Sequence, residues 1–339
     1  MKIRPYQPSD YPIVKNWMQD LGQFYDEHDP QNPLIDQIVT GINHDANGYF
    51  TKEKRIYLAQ DQTQTPLAAV CLNLKRGGSC KIGPLITAPQ ARKKGVSKPL
   101  VSYIHTLSQQ QGYRKTYAST SHLNTPVINM LQQNGYQLEA SYPDQYKVGS
   151  NEQVWGKHLV ATLPPASAVQ ANFVSLVLPS KDPVSICQWS QANPEVLATI
   201  TQIYSQWHND IGLDFQQALA TAVNRGRETE EFYQSKAKII LEAKTSSTHM
   251  HTGLGVFSPK RGRSVKLYPF YGSVQAQAQI LETAFTHTQL CQYRKFYTFC
   301  SPLDTAQTQI LNKLGFQHRG TLQSPYKPGY DLATYDIFL

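Results

Sequence analysis

The chain is two copies of one pattern, and that duplication limits the folds open to it more than any other feature. Tyr113-Arg114-Lys115-Thr116-Tyr117 returns as Tyr293-Arg294-Lys295-Phe296-Tyr297, an offset of 180 residues. The same offset aligns Leu123-Asn124-Thr125 with Leu303-Asp304-Thr305, and Asn134-Gly135-Tyr136 with Leu314-Gly315-Phe316. It also aligns Tyr146-Lys147-x-Gly149 with Tyr326-Lys327-x-Gly329. Near the start, Trp17-x-x-Asp20-Leu21-Gly22 returns as Trp207-x-x-Asp210-Ile211-Gly212. A chain of 339 residues is long enough for two domains. Thr162-Leu163-Pro164-Pro165-Ala166-Ser167-Ala168 has the Pro and small residues of a linker. The expected division is a first domain over 1–162, a linker over 163–181 and a second domain over 182–339.

Each copy mixes helix and strand signals. Ser9-Asp10 reads as a helix start, with Ile13, Trp17 and Leu21 on one face. Arg55–Ala59, Leu67–Leu72 and Lys81–Thr87 read as strands, followed by a glycine-containing loop and a helix over Leu100–Gln110. Thr116–Ser119 is a further strand, and Thr125–Gln133 a short helix that Gly135 ends. Tyr136–Ser141 and Gln153–Leu159 complete the sheet. The order predicts an α+β sandwich whose front half is antiparallel.

The formal charge of +8 is divided between both halves, so it favours an anionic ligand without forming a basic tail. A mean hydropathy of -0.44 and the lack of a long apolar run argue against a membrane span. No apolar stretch follows MKIRPYQPSD, so no secretory signal is expected. The five cysteines are scattered and form no C-x-x-C pair, which argues against a disulfide framework or a metal site. A cytoplasmic location is expected.

One segment carries ligand chemistry: Thr87-Ala88-Pro89-Gln90-Ala91-Arg92-Lys93-Lys94-Gly95-Val96-Ser97, between a strand and a helix. Gly95 permits a close turn, Ser97 is small, and successive N–H groups at a helix start suit a pyrophosphate. Arg92, Lys93 and Lys94 add positive charge. The strand end Leu85-x-Thr87-x-Pro89, the loop Arg92-x-x-Gly95-x-Ser97 and the later stretch from Asn124-Thr125-Pro126 to Gly135-Tyr136 together resemble the GNAT family of acetyltransferases. The resemblance covers most of the first copy and, more weakly, the second. It implies two tandem GNAT-like α/β sandwiches, each a mixed, mostly antiparallel sheet flanked by helices.

The resemblance further implies acetyl-CoA, or another acyl-CoA, held where the family's fourth and fifth strands splay apart. Backbone groups of Leu85 and Thr87 would pair with pantetheine like an added strand. The amides of Lys93, Lys94, Gly95, Val96 and Ser97, with Arg92 nearby, would hold the pyrophosphate, and Asn124 would contact the pantetheine arm. Ser97 departs from the Gly or Ala the family prefers.

The second copy departs further. Lys266-Leu267-Tyr268-Pro269-Phe270 aligns with Lys81-Ile82-Gly83-Pro84-Leu85 at an offset of 185, so five residues are missing where the pyrophosphate loop should lie. Gln275-Ala276-Gln277-Ala278-Gln279-Ile280 has no glycine and no positive charge. The second domain is therefore expected to bind CoA poorly or not at all.

Acyl transfer to an amine needs a route for the amine's proton and donors for the developing oxyanion. An amide near Thr87 could serve as the donor. No carboxylate lies in Ser79–Thr87, and the position where many family members place a tyrosine acid is Leu131 here and Leu311 in the second copy. His122, Tyr142 and Tyr146 are the remaining catalytic candidates. Tyr25-Asp26-Glu27-His28-Asp29 could attract a cationic amine, either a small molecule or a peptide. Three functions stay open: an N-acetyltransferase acting on a primary amine in a ternary complex, a non-catalytic acyl-CoA sensor or adaptor, and an aminoacyl-tRNA-dependent transferase built of GNAT-like halves. Neither a membrane nor a nucleic-acid partner is expected from the first, because the charge is diffuse and no RNA-binding module is evident.

Overall fold

The computed structural model describes residues 1–18, 51–160, 183–189, 192–207, 213–224, 238–260 and 262–339. The chain divides into two compact units that part at Leu163 and Pro164. The linker expected over 163–181 and the acidic stretch Tyr25–Asp29 lie outside the described residues.

The N-terminal unit runs β1 (Lys2–Pro5), α1 (Tyr11–Met18), β2 (Thr51–Gln60), β3 (Pro66–Lys75), β4 (Ser79–Thr87), α2 (Ser97–Gln110), β5 (Lys115–Ser121), α3 (Thr125–Gln133), β6 (Gln137–Lys147) and β7 (Ser150–His158). Its strands lie in the order β1-β2-β3-β4-β5-β7-β6, antiparallel except for β4 beside β5.

The C-terminal unit runs β8 (Val184–Trp189), α4 (Pro194–Trp207), α5 (Leu213–Asn224), β9 (Ile239–Thr245), β10 (His251–Lys260), β11 (Ser264–Gly272), α6 (Val274–Leu290), β12 (Lys295–Cys300), α7 (Thr305–Lys313), β13 (Gln317–Lys327) and β14 (Tyr330–Phe338). Its order is β8-β9-β10-β11-β12-β14-β13, the same topology, with β11 and β12 as its parallel pair. Each unit is thus α+β, a mixed, mostly antiparallel sheet flanked by helices. Among the described residues no helix is long and apolar enough to cross a membrane.

Side-chain alternation explains why the central strands are apolar throughout. Tyr57, Ala59, Val70 and Leu72 face one core with Leu100, Ile104 and Leu131 from α2 and α3. Their neighbours Ile56, Leu58, Ala69 and Cys71 face the other with Val14, Trp17 and Met18 of α1. β6 runs past the expected Ser141 to Lys147, because β7 resumes pairing at Lys147 after an irregular stretch in which Asp144 takes a φ of 48°.

The two offsets seen in the sequence are the registers of the two sheets. Val70 pairs with Leu85 and Gly255 with Phe270, each shifted by 185. From β5 and β12 onward the shift is 180: Ser79 pairs with Lys115, and Ser264 with Lys295. Residues 88–96, between β4 and α2, are replaced in the C-terminal unit by Ser273 alone, and α6 begins earlier than α2 to meet it. Both β4 and β11 bulge at the same place and carry a cis peptide bond there, at Gly83-Pro84 and Tyr268-Pro269.

Both copies bury a lysine at the start of the fifth strand, yet satisfy it differently. Lys115 pairs with Glu139 of β6 at 2.6 Å, with both side chains buried. Lys295 pairs with Asp336 of β14 at 2.7 Å, and Arg319, at the position equivalent to Glu139, also binds Asp336. Asp336 corresponds to Gly156, where an added Cβ would overlap the Glu139 carboxylate. One buried cation therefore requires one carboxylate, and the two copies supply it from different strands on the same side of the lysine, β6 in one and β14, the counterpart of β7, in the other.

Removing one partner strands a buried charge, so Glu139→Ala should lower stability by about 3 kcal/mol. Adding Gly156→Asp, the arrangement of the other copy, should restore part of the loss in urea denaturation. Losses that simply add would contradict this account.

Candidate acyl-donor site

The site follows from where β4 stops pairing with β5. Their ladder holds at Ser79–Lys115, Cys80–Thr116 and Lys81–Tyr117, then ends. Beyond Ile82, β4 stays paired with β3 across a one-residue register shift, through Val70–Leu85, Ala69–Ile86 and Ala68–Thr87, while β5 pairs with β7. The bulge at Gly83-Pro84 bends β4 away, and Asn73 holds it by donating from Nδ2 to the Gly83 carbonyl at 3.2 Å. The two strands thus form a V whose β4 wall is backbone from Leu85 to Thr87.

The loop beyond β4 is anchored and then exposed. Ala88 and Ala91 are buried, and the Ala88 N–H donates to the Leu67 carbonyl at 2.9 Å. Arg92, Lys93, Lys94 and Gly95 are exposed, and Lys93 and Gly95 have φ values of 62° and 74°. Those left-handed steps curl the chain into a cup ahead of α2, and open space lies where a Gly95 Cβ would point. Val96 packs on both cores, which sets where α2 begins. Ser97 opens that helix, so its first N–H groups face the cup. Arg92 Nε folds back onto the Thr87 carbonyl at 3.3 Å.

Asn124 stands at the N-cap of α3 without making a side-chain cap bond. Its counterpart Asp304 is committed, accepting from the Gln307 N–H at 2.9 Å. The Asn124 amide is thus not consumed by its own helix.

The catalytic candidates are placed less evenly. His122 is half-buried and tied to the end of the sheet: its N–H donates to the Asn151 carbonyl at 2.8 Å, and the Asn151 N–H donates to its Nδ1 at 2.9 Å. Because a backbone N–H can only donate, neutral His122 carries its proton on Nε2. In that form the ring can donate a hydrogen bond from Nε2, while its one lone pair is already engaged. Tyr142 is buried on β6 opposite Glu152, and Tyr146 is half-buried. Tyr326, the counterpart of Tyr146, stacks on Tyr268 with ring centroids 6.1 Å apart. Tyr268 occupies the position of Gly83 at the bulge. Burial pushes the Tyr326 hydroxyl up to about 12. Leu131 lies in the core at 1% exposure, which leaves that position no part in proton transfer.

Reading one copy at a time misses the positions where the two copies differ at the V. Gly83 and Ser119 align with Tyr268 and Phe299, and Val127 with Gln307. Comparing the two copies position by position would have exposed them.

His105 of α2 sets how the loop's helix meets the V. Its Nε2 lies 2.8 Å from the Tyr136 hydroxyl, which donates to Thr116 Oγ1 of β5 at 2.9 Å. Burial, reinforced by the Lys157 charge, pulls His105 down to about 4. Between pH 6.5 and 4 the unfolded chain takes up a proton that the folded chain refuses, so stability falls as pH falls through that window.

Residues 14–136 match the model of the acetyltransferase (GNAT) family, so a GNAT-fold acetyltransferase domain spans most of the N-terminal unit. No curated protein matches the chain. Among solved structures, a GCN5-related N-acetyltransferase from Kribbella flavida is 15% identical with a TM-score of 0.39, covering 46% of this chain and 96% of that one. Spermidine N-acetyltransferase from Vibrio cholerae, solved with CoA and spermine, is 15% identical with a TM-score of 0.39, covering 47% of this chain and 95% of that one. At that distance the two structures transfer no residue role and no substrate.

The His105 linkage is worth at most about 3 kcal/mol. Urea midpoints measured from pH 7 to pH 4 should fall more steeply for the wild type than for His105→Asn, and parallel curves would contradict the assignment.

Proposed function

We propose that the chain is a CoA-dependent N-acyltransferase that moves an acetyl or other acyl group from its CoA thioester to a primary amine by direct attack in a ternary complex. The N-terminal unit, residues 1–162, carries the reaction, and the C-terminal unit, residues 182–339, is structural. One observation supports this above others: the parted strands β4 and β5 lead to a basic, glycine-turned cup and carry Gly83 and Ser119 where the other copy packs Tyr268 against Phe299.

In this reading the free edge of β4 receives the pantetheine amides as a further strand, through Leu85 and Thr87. Arg92 exchanges its contact with the Thr87 carbonyl for a phosphate. The amides of Lys93, Lys94, Gly95, Val96 and Ser97 receive the pyrophosphate, and the Asn124 amide orients the arm. Acyl-CoA supplies the activated thioester. An N–H near Thr87 stabilises charge on the acyl oxygen. Tyr146, whose counterpart Tyr326 stacks on Tyr268 at the bulge of the other copy, returns a proton to the departing thiolate, ahead of the more deeply buried Tyr142. His122 serves as a donor from Nε2. The acceptor is a small-molecule or peptide amine, for which the acidic Tyr25–Asp29 stretch offers a counter-charge. A reducing, cytoplasmic setting suits the five unpaired cysteines.

A second reading, an acyl-CoA sensor without turnover, draws on two observations: the engaged Nδ1 of His122 and the core position of Leu131.

Calorimetric titration of acetyl-CoA should give one site per chain, and Ser119→Phe should abolish it while the fold persists. Release of CoA thiol across a panel of primary amines then separates the readings, since binding without release supports the sensor. With an active amine, Tyr146→Phe should lower kcat about 100-fold or more at unchanged acetyl-CoA affinity. Unchanged kcat would remove Tyr146 from the proton path.

A further inference from the structure

In the C-terminal unit, β11 and β12 part just as β4 and β5 do, after Leu267 and Thr298. The backbone of β11 beyond that point is not left open. Gln307 of α7 donates from Nε2 to the Phe270 carbonyl at 2.7 Å, and Gln277 of α6 donates from Nε2 to the Gly272 carbonyl at 2.8 Å. Phe270 and Gly272 correspond to Leu85 and Thr87. Each glutamine brings one primary amide to one strand carbonyl, at the spacing of two residues that an added strand would use.

The width of the V is filled as well. Tyr268 meets Phe299 edge to face with centroids 5.4 Å apart, and Tyr326 stacks on its other side. Tyr268 is buried at 4% exposure, and Phe299 at 8%. The helix start beyond β11 is closed too, because the Ser273 hydroxyl accepts from the Ala276 N–H at 3.2 Å. Both glutamines are themselves buried, and Gln277 Oε1 has no hydrogen-bond partner, so that side chain is held by its NH2 group alone.

We infer that the C-terminal V is an amide-recognition cleft occupied by the chain's own Gln277 and Gln307, and that once cleared it accepts a linear secondary amide of the pantetheine class. Its ligand is pantetheine and not CoA, since Ser273 stands where the basic cup would be. The inference rests on reading the N-terminal V as a pantetheine cleft.

The test uses the full chain carrying Ser119→Phe, which blocks the N-terminal V, and titrates pantetheine. That background should bind none. Adding Tyr268→Gly, Gln277→Ser, Phe299→Ser and Gln307→Val, the residues of the N-terminal copy, should create one site per chain. A folded quintuple variant that binds no pantetheine overturns the inference, as does binding in the Ser119→Phe background, which would mean that the C-terminal cleft was never sealed. If the quintuple variant does not fold, Gln307→Val alone in the Ser119→Phe background decides. It leaves the Phe270 carbonyl without its donor, so its melting temperature should fall and pantetheine should partly restore it. A fall without restoration, or no fall, counts against the inference. Failure of the other reading looks different: the unsubstituted chain would bind no pantetheine while the opened C-terminal cleft did.

Discussion

A strand that leaves its neighbour in the middle of a sheet exposes backbone N–H and C=O groups that must find other partners. This constraint organises both halves of the chain. Among the described residues each unit contributes seven strands with one parallel pair, and in each that pair separates after a few residues. The bulge on the departing strand ensures the separation, since an extra residue on β4 or β11 turns it off the ladder. What differs is how the exposed edge is satisfied. The N-terminal copy carries glycine, serine and valine at Gly83, Ser119 and Val127, the positions aligned with Tyr268, Phe299 and Gln307. The C-terminal copy supplies amides and rings from its own helices and strands.

The frame around the edge is held by polar contacts that recur in both copies although their residues differ. The paired lysines Lys115 and Lys295 keep their places, but the carboxylate comes from Glu139 on β6 in one copy and from Asp336 on β14, the counterpart of β7, in the other. A similar exchange holds the last turn: the Asp144 carboxylate accepts from the Gly149 N–H at 2.6 Å, and the Ser324 hydroxyl accepts from the Gly329 N–H at 3.0 Å. The duplicated fold therefore tolerates substitution wherever a second residue can deliver the same donor or acceptor to the same point. Divergence could then remove the loop and close the cleft in one copy without disturbing the topology of either.

Much of the architecture was legible in the sequence, because duplication turns one chain into its own alignment. The shift from 185 to 180 located the missing loop, and the apolar runs Arg55–Ala59 and Leu67–Leu72 marked strands buried on both faces. The loop was legible too, since Arg92 to Ser97 combine charge, glycine and a helix start within a few residues. The role of His122 was not: its Nδ1 is engaged by Asn151, far along the chain, and nothing local signals that bond. Nor was the exchange of carboxylates, which depends on how β5, β6 and β7 lie side by side. The glutamines of the C-terminal cleft read as unremarkable helix residues until β11 places its carbonyls beside them.

The central claim is that external acyl-CoA satisfies the open edge of β4 while the edge of β11 is already satisfied from within. Hydrogen–deuterium exchange with and without acetyl-CoA tests it at the backbone groups concerned. The account predicts slower exchange over residues 82–98 on adding acetyl-CoA, with residues 268–277 unchanged. Slowing over 268–277, or no change over 82–98, would contradict it.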